Sequence, residues 1–92
     1  VSATGHGEFF IRYTVAHDIS ALMQYKGLTL DEAAREVIKE KLVKAGGTGG
    51  VVCVDAKGNI SMPFNTGGMY RGYKTSEDRK GVFIFSDEPD KL

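Results

Sequence analysis

Seven residues near the start of the chain, Ser2-Ala3-Thr4-Gly5-His6-Gly7-Glu8, constrain its fold most. Two glycines close a short apolar lead-in, and the stretch then runs directly into a long apolar segment. A tight turn from strand to helix satisfies that pattern. Nothing beyond Cα stands on a glycine, so backbone N–H and C=O groups there can approach a ligand closely. The helix that follows adds a positive dipole end and unpaired N–H groups, which favour a carboxylate, a phosphate or a developing oxyanion. Thr4 supplies a hydroxyl just before the turn, so a side-chain donor and an amide donor can converge on one oxygen, as an oxyanion hole requires. The same letters also fit a plain turn with Thr4 or Glu8 as its cap, because a short glycine motif takes its meaning from context.

Glu8 to about Tyr25 reads as the first helix. Phe9, Phe10, Ile11, Tyr13, Val15, Ala16, Ile19, Ala21, Leu22, Met23 and Tyr25 cover most of its circumference, so it is expected to be covered on more than one side. Glu8 and Arg12 are spaced for an i,i+4 pair. His17 and Asp18 have no further ligand at metal spacing and read as a polar seam. Gly27 is a natural left-handed cap. Thr29-Leu30-Asp31-Glu32 then forms a capping box, in which Thr29 and Glu32 each satisfy the other's free backbone donor. Leu30, Ala33, Ala34, Val37, Ile38 and Leu42 follow at helical spacing, with Arg35, Glu36, Lys39, Glu40, Lys41 and Lys44 between them. This second helix is one-sided and should pack on the first.

The glycine run from Ala45 to Gly50 ends it and reads as a flexible connector, since no Lys-Ser/Thr pair follows to make a phosphate loop. Val51–Asp55 and Asn59–Phe64 read as antiparallel strands joined by Asp55-Ala56-Lys57-Gly58, with Gly58 at a positive φ. Pro63 favours a strand end. Asn65 to Gly72 reads as a glycine-bearing bend, Thr75 to Lys80 as a charged loop, Val82–Phe85 as a last strand and Ser86–Asp90 as a poorly ordered acidic tail. The expected fold class is therefore α/β layered (α+β), with two antiparallel helices on one face of an antiparallel sheet.

Ninety-two residues suffice for about one small domain, with a poor surface-to-volume ratio for one that also carries a cleft. Val1-Ser2-Ala3 reads as the last part of a strand, so the chain is expected to be a piece of a larger one. Twelve basic and twelve acidic residues are mixed along it, which leaves no electrostatic footprint for nucleic acid or an anionic membrane. No apolar run reaches membrane-spanning length, and the start lacks a signal-peptide profile. Cys53, the one cysteine, sits in an apolar run and reads as a buried, inert thiol rather than a nucleophile. A reducing, cytoplasmic setting fits. Neither a cofactor nor a metal site is expected.

Ser2-Ala3-Thr4-Gly5-His6-Gly7-Glu8, Ala21-Leu22-Met23-Gln24-Tyr25-Lys26-Gly27-Leu28 and above all Pro63-Phe64-Asn65-Thr66-Gly67-Gly68-Met69-Tyr70-Arg71 resemble the carboxy-terminal part of plant-type L-asparaginase, or isoaspartyl peptidase. The resemblance runs from Val1 to about Phe85. It implies an N-terminal-nucleophile (Ntn) hydrolase with a four-layer αββα sandwich, of which residues 1–92 are the C-terminal portion. Residues 1–7 would be the strand end and site turn, 8–45 the helices, 50–85 the strands and 86–92 the tail. In that family a precursor cleaves itself to free a threonine whose hydroxyl attacks an amide while its own α-amine acts as base. The mature enzyme is typically a dimer of αβ heterodimers.

Carried over residue by residue, the resemblance gives Thr4 and Gly5 the oxyanion hole and Gly5 and Gly7 the substrate's α-ammonium. His6 lies in the same substrate-binding stretch, where the family varies. The nucleophilic threonine, and the arginine and aspartate that clamp the substrate, fall outside the chain. The rest of the precursor (the α-subunit and the start of the β-subunit) is thus an expected partner, and the chain alone is expected to be inactive. The implied reaction is hydrolysis of L-asparagine and isoaspartyl dipeptides. The alternatives are a glycosylasparaginase, against which a lone cysteine argues, and a non-catalytic αβ module that binds a small anion at the Gly5–Gly7 turn.

Overall fold

The computed structural model describes residues 1–5, 7 and 14–85. Strand β1 (Ser2–Gly5) is followed by helix α1 (Val15–Lys26), helix α2 (Leu30–Arg35), a π-helical segment (Glu36–Lys41) and helix α3 (Leu42–Ala45). The strands β2 (Gly49–Val54), β3 (Ile60–Ser61), β4 (Gly68–Lys74) and β5 (Lys80–Phe85) complete the order. Two helical stretches packed on antiparallel sheets are the architecture expected. The Glu8–Arg12 pair, the apolar residues from Phe9 to Tyr13 and the Ser86–Asp90 tail lie outside the described residues.

Gly27 closes α1 at φ 68°, the left-handed conformation that a side chain disfavours. The capping box forms in full, with Glu32 N–H donating to Thr29 Oγ1 at 3.2 Å and Thr29 N–H to Glu32 Oε1 at 2.9 Å. Leu30, Ala33, Ala34, Val37, Ile38 and Leu42 are all buried, as their spacing demands. Together with Val15, Ile19 and Leu22 of α1, and Val51 and Cys53 of β2, they make the core between helices and sheet. Asp31 ties α2 to the strands: its carboxylate accepts from Arg35 Nε at 2.9 Å and from the buried Ser61 hydroxyl at 2.8 Å.

Two helical expectations change. Only the Val15, Ile19, Leu22 stripe of α1 is buried, and Tyr25 is 79% exposed, because nothing among the described residues packs on the opposite face. Asp18 of the predicted polar seam reaches across to Lys41 Nζ at 2.8 Å, and His17 is exposed. The second helix is not wound uniformly: over Glu36–Lys41 it widens, so that Leu42 N–H donates to the Val37 carbonyl five residues back. The side-chain spacing gives no reason for that widening.

The predicted connector is in fact partly strand. Gly46 caps α3 at φ 87°, but Gly49 and Gly50 are buried and open β2, paired with Gly5 and Thr4 of β1. Bare backbone is required there. A Cβ on Gly50 would lie 2.6 Å from Phe64 Cβ, 2.7 Å from Met69 Sδ and 2.8 Å from the Pro63 carbonyl. The predicted strand Asn59–Phe64 keeps regular pairing only at Ile60–Ser61, opposite Val54 and Cys53. Beyond it, Pro63 O accepts from Val51 N–H at 3.0 Å and Phe64 bridges to Gly50. The intervening turn is as read: Gly58 has φ 83°, and Asp55 Oδ1 accepts from the backbone N–H groups of Lys57 and Asn59, each at 2.9 Å. The Asn59 side-chain amide on Asp55 Oδ2, ahead of those backbone donors, holds that carboxyl below its ordinary range.

The antiparallel strands are divided between two sheets. The sheets are β1-β2-β3 and a separate hairpin β4-β5. The predicted bend over Asn65–Gly72 stops at Gly67, since β4 begins at Gly68 and Arg71 and Gly72 pair with Phe83 and Val82 of β5. The predicted charged loop is its tight turn, with Thr75 N–H on Arg79 O at 2.8 Å. Arg71 is 4% exposed, with its guanidinium 4.8 Å from the Phe64 ring centre and 5.5 Å from that of Phe83. It donates to the carbonyls of Met69 and Phe85, which fastens the hairpin to the Phe64 segment.

Thr29→Ala removes the side-chain half of the capping box and should cost about 1 kcal/mol, read as a lower denaturant midpoint at unchanged m-value. Burial pushes the Cys53 thiol up to about 11 from its ordinary 9.0. It should alkylate slowly at pH 8 until the protein is unfolded. Because the unfolded thiol ionises first, its contribution to stability is present below pH 9 and lost as pH rises toward about 11, which thermal melts across that window measure.

Candidate functional site

β1 brings Thr4 and Gly5 to the edge of the three-stranded sheet, opposite Gly50 and Gly49. Both glycines of the Gly5–Gly49 pair have φ near 140°, at 139° and 141°, a region that L side chains rarely enter. A Cβ on Gly5 would stand 2.3 Å from the Thr48 carbonyl and 2.6 Å from Gly49 Cα. The close approach of the two strands therefore depends on the absence of side chains.

Thr4, Gly5, Gly49 and Gly50 form one wall of a cleft of about 210 Å³, and Thr66, Gly68 and Met69 form the other. Thr4 is exposed, while the Thr66 hydroxyl donates to Gly68 O at 2.9 Å. Among the described residues no acid, base or thiol lines this cleft. What it offers is hydroxyls, main-chain groups and a thioether. Such a lining can bind and orient a polar group or stabilise charge that develops on it, and a nucleophile would have to come from outside it.

Of the four residues read as a site, Thr4 and Gly5 are brought together on the cleft. Gly7 is exposed and is not part of its lining, and His6 lies outside the described residues. Thr66, Met69 and the Gly49–Gly50 pair line the cleft without having been singled out for it. The available signal was the density of glycine and hydroxyl residues in both stretches, which was read as connector and bend.

Two larger hollows lie elsewhere. One of about 470 Å³ is largely apolar and borders Val52, Cys53, Val54, Met62 and Tyr73. The other, of about 570 Å³, lies between the turns of the two hairpins and carries Lys57, Lys74, Glu77 and Arg79. Cys53 does not approach the Thr4 cleft, and its raised thiol removes it as a neutral-pH nucleophile. Among the described residues no group of three or more His, Cys, Asp or Glu side chains could hold a metal ion, and no helix is long and apolar enough to cross a membrane.

Residues 1–84 match the family described as Asparaginase. The chain is 48% identical over 92 residues to an isoaspartyl peptidase of Escherichia coli strain K12, an alignment that takes in all of this chain and 29% of that protein. It is 49% identical over 85 residues to an isoaspartyl peptidase of Salmonella typhimurium, covering 90% of this chain and 27% of the other. A Dictyostelium discoideum protein whose name joins isoaspartyl peptidase to L-asparaginase is 56% identical over 73 residues, 79% of this chain and 21% of that one. The chain thus spans less than a third of the length of these relatives. With a family match over nearly every residue, and close relatives that agree with one another, the chain belongs to the isoaspartyl peptidase/L-asparaginase family.

Proposed function

We propose that this chain is part of an N-terminal-nucleophile amidohydrolase that cleaves L-asparagine and β-aspartyl peptides, and that it supplies the oxyanion hole. The observation that carries the reading is the cleft itself, where exposed Thr4 lies beside bare glycine backbone and no titratable side chain among the described residues lines the wall. A site built this way suits the stabilising half of an acyl transfer and needs its nucleophile from another segment.

In the proposed reaction a threonine outside this chain attacks the side-chain amide carbonyl with its hydroxyl, and its own α-amine takes the proton. The carbonyl oxygen becomes an oxyanion, to which the Thr4 hydroxyl and the Gly5 N–H donate. The amine base returns the proton to the leaving nitrogen, so ammonia or an α-amine departs and an aspartyl ester remains on the threonine. Water, activated by the same amine, then releases aspartate. Gly5 and Gly7 would help hold the substrate's α-ammonium, and His6 between them in the sequence belongs to the same proposed substrate-binding stretch.

The partners in this reading are the α-subunit and the start of the β-subunit from the same precursor, joined in a four-layer αββα sandwich and paired as a dimer of heterodimers. The precursor would free its threonine by cleaving itself, in a cytoplasmic setting, and this chain alone would be inactive.

In the assembled enzyme Thr4→Ala should lower kcat by about a hundredfold or more, the scale of losing one oxyanion donor (about 2.7–4 kcal/mol), with a much smaller change in KM. Steady-state assays on L-asparagine, a β-aspartyl dipeptide and a glycosylated asparagine test both the mechanism and the substrate class. A near-normal kcat removes Thr4 from the reaction, and preference for the glycosylated substrate replaces this reading with the glycosylasparaginase one.

A further inference from the structure

Gly49 and Gly50 carry no side chains, so packing of their own does not fix where they lie. Asn65 fixes it. Its backbone N–H donates to Gly49 O at 3.0 Å, and its side-chain Oδ1 accepts from Gly49 N–H at 2.9 Å. Its Nδ2 donates to the Ile38 carbonyl at 2.9 Å and to the Gly47 carbonyl at 3.2 Å. The amide has one orientation that satisfies all three side-chain contacts, since turning it over sets donor against donor and acceptor against acceptor. Both polar groups of Gly49 are thus held by one residue, and Gly49 is the register partner of Gly5.

The other end of this tie is in the helical layer. Ile38 belongs to the widened Glu36–Lys41 segment, and its side chain is completely buried in the core. Asn65 therefore links the rigid helix–sheet core to the strand that backs Thr4 and Gly5. We infer that Asn65 is a positioning residue for the proposed reaction, setting the Gly5 amide and the Thr4 hydroxyl through Gly49. This inference rests on the reading that those two groups hold the oxyanion. Their contribution falls in the transition state, so a displaced Gly49 lowers kcat while leaving KM nearly alone.

Asn65→Asp tests this in the assembled enzyme, because it keeps the shape while turning a carboxylate toward the Ile38 and Gly47 carbonyls. Asn65→Ala removes the tie altogether, and Asn59→Ala, which deletes an amide from the Asp55 turn, controls for general destabilisation. We expect both Asn65 variants to lower kcat by about tenfold or more with KM within about twofold, and Asn59→Ala to lower Tm without lowering kcat. The ratio of Asn65→Asp to wild-type kcat should rise as pH falls, because the carboxyl then takes a proton and again donates to one of the two carbonyls. Amide hydrogen exchange at Gly49 and Gly5 should quicken in both Asn65 variants.

Wild-type kcat in folded Asn65→Asp and Asn65→Ala overturns the inference. So does a loss that follows Tm alike in Asn59→Ala and the Asn65 variants. If the wild-type assembly hydrolyses neither β-aspartyl substrate, the functional reading fails first and exchange decides the positioning claim: unchanged protection at Gly49 and Gly5 in Asn65→Asp overturns it, and faster exchange supports it.

Discussion

Everything near the cleft depends on how closely three backbones pass at Gly49–Gly50. β1 lies on one side and the Pro63–Asn65 run on the other, and a single methyl on Gly50 would collide with both Phe64 and Met69. Main-chain groups can then line a cavity that side chains would otherwise fill. The cost of such a stretch is conformational: glycine loses more freedom on folding than any other residue. Hydrogen bonds from Asn65 and the burial of Phe64 and Met62 around it offset that loss. The motif from Pro63 to Arg71 reads physically as a clamp in which Phe64 supports both Gly50 and the Arg71 guanidinium.

In the proposed reaction the cleft would stabilise developing charge while proton transfer falls to a group outside it. The described lining of hydroxyls and amides needs no particular protonation state, so its share of the proposed work would not change over the range in which the proposed threonine amine titrates. The described titratable groups are spent elsewhere: Asp31 joins α2 to β3, Asp55 closes a turn, and Asp18 pairs with Lys41. Each stabilises the scaffold behind the site. None approaches Thr4 closely enough to line its cavity.

Local signals in the letters foretold local structure. Thr29 and Glu32 marked a helix start that forms bond for bond, Gly27 and Gly58 took the positive φ that their contexts demanded, and the one-sided stripe from Leu30 to Leu42 named the buried face. Thr4 and Gly5 do line a cleft, but their letters fit a plain capped turn equally well, so the cleft itself was not legible from them. The misreadings concern what arrives from far along the chain. Gly49 and Gly50 look like a linker until Thr4 and Phe64 are seen against them, and Arg71 and Gly72 look like the continuation of a bend until β5 pairs with them. The burial of α1 was overestimated because an apolar surface shows what could be covered, and only neighbours decide what is.

The widened helical segment makes chain length, rather than residue identity, the sensitive variable in this part of the molecule. Its outer positions, Lys39, Glu40 and Lys41, are exposed, and Lys41 reaches from there to Asp18 of α1. Deleting one residue there would restore ordinary winding, in which the Ile38 carbonyl accepts from the helix N–H four residues on; in the widened segment Leu42 N–H goes to Val37 instead, and the Ile38 carbonyl accepts from the Asn65 amide. Natural variants of this segment should accordingly differ in spelling but keep the same number of residues between the capping box and Gly46.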